Sequence, residues 1–322
     1  MSTLRPQLPV RTTEDENALK FIQQMGIEYV SLGLKRDEIN YDVIMRQKEK
    51  LNKYNIKISD VFCNDLQKNK SIHLNLPNRD SEIDAFNNML KILGKANIHF
   101  TSIAWQPNGI LRTAKAVGKY TRGGVSSICD QAEILARPIA ESREYSEEEI
   151  WANFKYFLDR VIPVAEETNV KMALHPNDPP LSCMVGIPSL IYNSNCYRKA
   201  FKLANSKMLG MKLCVGCWLE GGDAFGSLID DIKEFSEDGR ILCVHFRNTS
   251  STLPYFEETL AEDGYADMYA IMKQLVTCKC DAVISIDHAF APIEGFGGLP
   301  GSFAYSTGYM KALMHIAERE NK

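Results

Sequence analysis

Short apolar runs alternate with longer amphipathic stretches along almost the whole chain. The runs cover residues 4–10, 28–34, 56–62, 98–105, 170–175, 211–215, 241–246 and 282–287. Most are four to eight residues long and several are rich in Val, Ile and Phe, the pattern of strands buried on both faces of a parallel sheet. The stretches between them carry helical periodicity. Over 80–93 the apolar residues Ile83, Phe86, Met89, Leu90 and Leu93 form a single stripe. Ser146 and Glu149 make a capping box ahead of Ile150, Phe154, Phe157, Leu158 and Val161. Residues 268–275 and 308–318 read in the same way. Pro163 is expected to kink or end the helix that contains it.

Eight strands alternating with helices over this length predict a (β/α)8 barrel rather than an open sheet. The first run is the weakest, because Pro6 and Pro9 interrupt it. No linker, low-complexity block or internal repeat divides the chain, so a single domain over 1–322 is expected. The segment 106–143 breaks the rhythm with Gly, Arg and Tyr, and a long segment after a barrel strand predicts a lid or active-site loop, with a small subdomain as the alternative.

Composition narrows the function classes. Hydrophobic residues are 45% and charged residues 24% of the 322, values of a globular chain. Lys and Arg number 37 against 41 Asp and Glu, a net charge of −4 without a basic run, so nucleic acid is not an expected partner. No stretch is apolar for long enough to span a membrane, and residues 1–10 lack the apolar core of a secretory signal. Nine irregularly spaced cysteines then read as reduced thiols in a cytoplasmic protein.

The chemistry lies at the ends of the later runs. His175 closes 170–175, Cys214 lies within 211–215, His245 is near the end of 241–246, and Asp287 closes 282–287. In a parallel barrel these C-terminal strand ends form the catalytic face. Two imidazoles, a thiolate and a carboxylate suit a borderline ion such as Mn²⁺, Fe²⁺, Co²⁺ or Zn²⁺, and suit Mg²⁺ or Ca²⁺ poorly. Taken singly, each has a plainer reading: a hydrogen-bonded strand-end His, a small buried thiol, a turn-capping Asp. Their recurrence on four consecutive strands favours the joint one. The Cys278/Cys280 pair does not match a zinc-ribbon spacing and Cys214, of the Cys214/Cys217 pair, lies within an expected strand rather than a knuckle, while a redox role would want the first pair at a helix N-terminus. His73, His99 and His315 are expected to be structural.

Several motifs occur together in one order: His175-Pro176-Asn177-Asp178-Pro179-Pro180, Leu213-Cys214-Val215-Gly216, His245-Phe246-Arg247-Asn248, Gly264-Tyr265-Ala266-Asp267-Met268-Tyr269 and Asp287-His288. Upstream stand Leu76-Pro77-Asn78-Arg79-Asp80, Leu111-Arg112-Thr113 and Arg122-Gly123-Gly124. From about Leu74 onward the chain resembles the mannonate dehydratases. The resemblance implies a xylose-isomerase-like barrel and dehydration of D-mannonate to 2-keto-3-deoxy-D-gluconate, a step of hexuronate breakdown. It implies Mn²⁺ or Fe²⁺ held at His175, Cys214, His245 and Asp287, with His288 and Tyr305 as the proton-transferring pair. Arg247, Arg112 and Asn248 become the expected substrate contacts, the arginines by bidentate pairing with the carboxylate. Departures from the family are a different N-terminal segment and the apolar neighbours Ile286, Ala289, Phe290 and Ala291.

Two alternatives stay open beside the lyase: a sugar isomerase or epimerase on the same metal barrel, and a non-catalytic relative that binds metal or a sugar acid. The expected partners are a small sugar acid and a second copy of the chain in a dimer.

Overall fold

The computed structural model describes residues 4–292 and 297–321. Eight parallel strands close a barrel: β1 (Arg5–Arg11), β2 (Tyr29–Gly33), β3 (Lys57–Phe62), β4 (Phe100–Ala104), β5 (Lys171–His175), β6 (Leu209–Cys214), β7 (Ile241–Phe246) and β8 (Val283–Ile286). Each pairs with its neighbours in sequence, and β8 closes onto β1. The predicted (β/α)8 barrel is therefore present, and every predicted run overlaps its strand. Pro6 and Pro9 do not exclude β1. Each removes one ladder donor; β1 keeps five paired positions with β2 and has two, at Arg5 and Pro6, with β8.

Alternation of side chains along a strand sorts the faces. Outward residues such as Met172, Leu174, Met211, Leu213 and Val244 are fully buried beneath the helices. The longest packing pair joins the helices Arg79–Lys95 and Glu147–Thr168, where Phe86 and Phe157 meet edge to face at 5.4 Å. Each such buried side chain contributes about 1.5–3 kcal/mol.

Pro163 does not end its helix. Helix Glu147–Thr168 begins at the Ser146/Glu149 capping box and runs through the proline. Pro163 and Asp159, whose carbonyl loses its donor, are both exposed, where the freed acceptor is open to water, and the buried stripe keeps the helix in place.

The segment 106–143 is neither helix-rich nor structureless. Its strands Ala114–Val117 and Val125–Asp130 join Tyr255–Glu257, from the loop after β7, in an antiparallel rim sheet. Val125 also bridges to Ala291, after β8. Three loops at the C-terminal end of the barrel are thus fastened together. Among the described residues, no helix is long and apolar enough to cross a membrane.

Candidate active site

Four consecutive strands bring their terminal side chains to one point inside the barrel mouth. Ligand-capable atoms of His175, Cys214 and His245 all lie within 4.8 Å of one another. Asp287 completes the group: its Oδ1 is 2.8 Å from His245 Nδ1, and its Oδ2 lies 3.4 Å from Cys214 Sγ. His175 donates Nδ1–H to the Pro176 carbonyl at 2.7 Å, which leaves the lone pair on Nε2.

The electrostatics suit a cation. Burial pushes the Cys214 thiol up, but hydrogen bonds from Cys217 and from both imidazoles hold it well below its ordinary value. Burial likewise opposes ionisation of Asp287, and His288, His245 and Arg247 overcome it. Thiolate, carboxylate and imidazoles in this cluster form a donor set for a borderline transition metal. Cys214 ends β6 and helix Val215–Gly221 begins at the next residue, so the Cys214/Cys217 pair does sit at a strand-to-helix junction.

Beside this cluster lies a charge network far denser than the sequence suggested. Arg247 is 3% exposed; it donates to Glu220 Oε1 at 2.7 Å and to Asp287 Oδ2 at 3.0 Å. Arg112 donates to Asp178 at 2.5 Å, to Glu258 at 2.8 Å and to Glu220 at 3.1 Å. Against opposing burial, the arginines hold Asp178 below the carboxylate range and Glu258 down at about 2. Glu220 goes the other way, pushed up by burial and by neighbouring Asp178. Close packing maintains the arrangement: a Cβ on Gly216 would lie 2.3 Å from Arg247 Cζ.

His288 joins the two groups. Its Nδ1 is 2.9 Å from Glu258 Oε2 and its Nε2 is 3.7 Å from Asp287 Oδ1. Asp287 and then Glu258 raise it, against burial, to about 9. Arg112, Arg247, Glu258, Asp287 and His288 line one cavity of about 680 Å³. Two expected residues stand elsewhere. Asn248 is fully buried and gives its amide hydrogens to the Ala261 and Ala266 carbonyls, holding a loop. Tyr305 is 46% exposed on the rim, its hydroxyl donated to Glu262 and accepting from Arg122 at 3.3 Å, with Phe290 packed against its ring.

Comparison with known proteins bears on the same region. The family model described as D-mannonate dehydratase (UxuA) matches residues 129–317, which include His175, Cys214, His245, Asp287 and His288. The chain belongs to this family. It is 28% identical to the mannonate dehydratase of Streptococcus suis strain 05ZYH33 over 240 residues, 66% of this chain and 64% of that protein. The matched region thus spans less than two thirds of that relative. With the mannonate dehydratase of Streptococcus agalactiae serotype V the identity is 28% over 288 residues, 81% of each protein. The crystal structure of mannonate dehydratase from S. suis serotype 2 superposes with a TM-score of 0.88 at 22% identity, covering 99% of this chain and 95% of that one. Family membership, fold and cluster agree on a divalent-metal site.

Glu220 and Glu258 were missed by sequence reasoning, and Asp178 was noted only as part of a motif. Glu220 sits in the last turn of helix Val215–Gly221 and Glu258 just past a rim strand, so no spacing ties either to the ligands.

Proposed function

We propose that this protein is a divalent-metal-dependent hydro-lyase that converts D-mannonate to 2-keto-3-deoxy-D-gluconate and water, with Mn²⁺ or Fe²⁺ as the metal. The observation that carries the reading is the His175–Cys214–His245–Asp287 cluster in a chain of the mannonate dehydratase family, with an imidazole anchored beside it. A cation held by those four residues would supply positive charge against the enediolate that forms as the C2 proton leaves.

The remaining work belongs to the chain's own groups. The reaction needs a base at C2 and an acid at the C3 hydroxyl. His288 is tethered through Nδ1 to Glu258, which leaves Nε2 to move a proton at the substrate. Tyr305 is the second proton-transfer group that the family resemblance implies; here its hydroxyl rests on Glu262 at the rim. Arg112 and Arg247 order the carboxylates around the cavity and keep Asp287 aimed at the cluster.

The test is formation of a 2-keto acid from D-mannonate by protein purified with Mn²⁺, before and after chelation. Metal-dependent product is expected. Bound metal with no product from D-mannonate, and interconversion of a ketose instead, would replace the lyase with an epimerase or isomerase.

A further inference from the structure

The arginines expected to bind the substrate carboxylate are already occupied. Arg112 and Arg247 engage Asp178, Glu220, Glu258 and Asp287 between them, so a ligand carboxylate would have to displace a buried protein carboxylate. Separating such a buried pair costs several kcal/mol.

Lys212 is placed differently. It lies on β6 two residues before Cys214, so strand alternation turns both side chains to the barrel interior. It lines a cavity of about 420 Å³ with Gln7, Ser31, His245, Ser285 and His288. Among the described residues, its ammonium makes no ion pair or hydrogen bond. Its acidic neighbour, Asp60, accepts instead from the hydroxyls of Ser31 (2.7 Å) and Ser59 (2.9 Å); burial pushes that carboxyl up, and the charge of Lys212 is the largest influence opposing it. A second ammonium, Lys68 after β3, is half-buried and likewise makes no ion pair or hydrogen bond among the described residues, though Asp178 and Asp287 act on it through their charge. The metal cluster is therefore flanked on one side by arginines already paired with carboxylates and on the other by a lysine that makes no ion pair, in a cavity where Gln7, Ser31 and Ser285 stand beside Arg11 and Asp287.

We propose that Lys212 is the residue that binds the carboxylate of the sugar acid, with Gln7, Ser31 and Ser285 facing its hydroxyls. This rests on the dehydratase reading and deepens it by naming what selects an acid over a neutral sugar. A point charge on a flexible stem can follow the carboxylate as charge flows into it from C2. A cavity that supplies an unpaired cation gains most from an anion and little from a polyol of the same shape.

The experiment compares the Mn²⁺-loaded wild-type protein with K212M and K212R. Calorimetric binding is measured for D-gluconate and for D-glucitol, which differ in carboxylate against hydroxymethyl, beside KM and kcat for D-mannonate. Wild type should prefer the aldonate. K212M should lose about 10- to 100-fold in aldonate affinity and in KM, with polyol binding, metal content and Tm unchanged, while K212R keeps part of the preference. Undiminished aldonate preference in K212M, with mannonate still turned over, overturns the role of Lys212 and leaves the dehydratase standing. A wild type that neither prefers aldonates nor turns over mannonate overturns both. If K212M loses metal or fails to fold, K212Q is read by the same criteria.

Discussion

His288 Nδ1 lies 2.9 Å from Glu258 Oε2, so the imidazole beside the metal cluster is oriented by a carboxylate from the loop after a different strand. On the proposed reading, that relationship separates the group that would move a proton from the groups that would hold a cation. His288→Ala is expected to retain full metal content and lose about 10²- to 10⁴-fold in kcat, the usual worth of a positioned acid–base group. Glu258→Gln, which keeps the shape and removes the charge, should cost about 10- to 100-fold. Normal kcat in His288→Ala would take His288 out of the mechanism.

Removal of a ligand should have the opposite profile. Asp287→Ala and His245→Ala are expected to be purified as folded barrels with little bound metal and no turnover. Metal analysis beside circular dichroism checks this, and full occupancy in either variant would refute the ligand assignment. Chelation of the wild type should abolish turnover and added Mn²⁺ restore it.

Gly216→Ala tests whether the arginine network is as tightly packed as it stands. The added methyl meets the Arg247 guanidinium, which Glu220 and Asp287 hold in place. Overpacking of this kind costs about 1–3 kcal/mol, and displacing Arg247 would also disturb Asp287. The expected result is a lowered Tm together with weakened metal retention; an unchanged Tm would mean that the guanidinium has room to shift.

His73 supplies a pH dependence remote from the metal. Its ring lies 4.3 Å from that of Trp105, Nδ1 has no hydrogen-bond partner, and burial lowers its pKa to about 3. The unfolded chain takes up a proton near pH 6.5 that the folded protein refuses until about 3. This contribution is complete above 6.5 and is lost as the pH falls from 6.5 towards 3. Urea unfolding at several pH values should show the wild type losing up to about 1.4 kcal/mol per pH unit more than His73→Leu in that window. Parallel curves for the two proteins would refute it.

The barrel was legible because strands buried on both sides must be apolar throughout, a signal that survives even in β1 with its two prolines. The four cluster residues were legible because each lies at or next to the end of such a run. Glu220 and Glu258 were not, since a helix end and a loop carry no periodicity that points inward. Nor could the sequence reveal that Arg112 and Arg247 would be neutralised, because their partners come from segments far apart in the chain. Pro163 misled as a helix end because propensity weighs the lost hydrogen bond without the exposed carbonyl that water can satisfy.

The rim sheet couples access to chemistry. Glu258 is fixed by its backbone, N–H to the Ser127 carbonyl at 2.9 Å and a bridge to Thr249, while Val125 of the same strand is paired with Ala291 just beyond His288. The hydrogen-bonded ribbon that borders the cavity mouth therefore also sets the distance between carboxylate and imidazole. The same few backbone bonds thus close the rim over the cavity and hold the segments of Glu258 and His288 against each other.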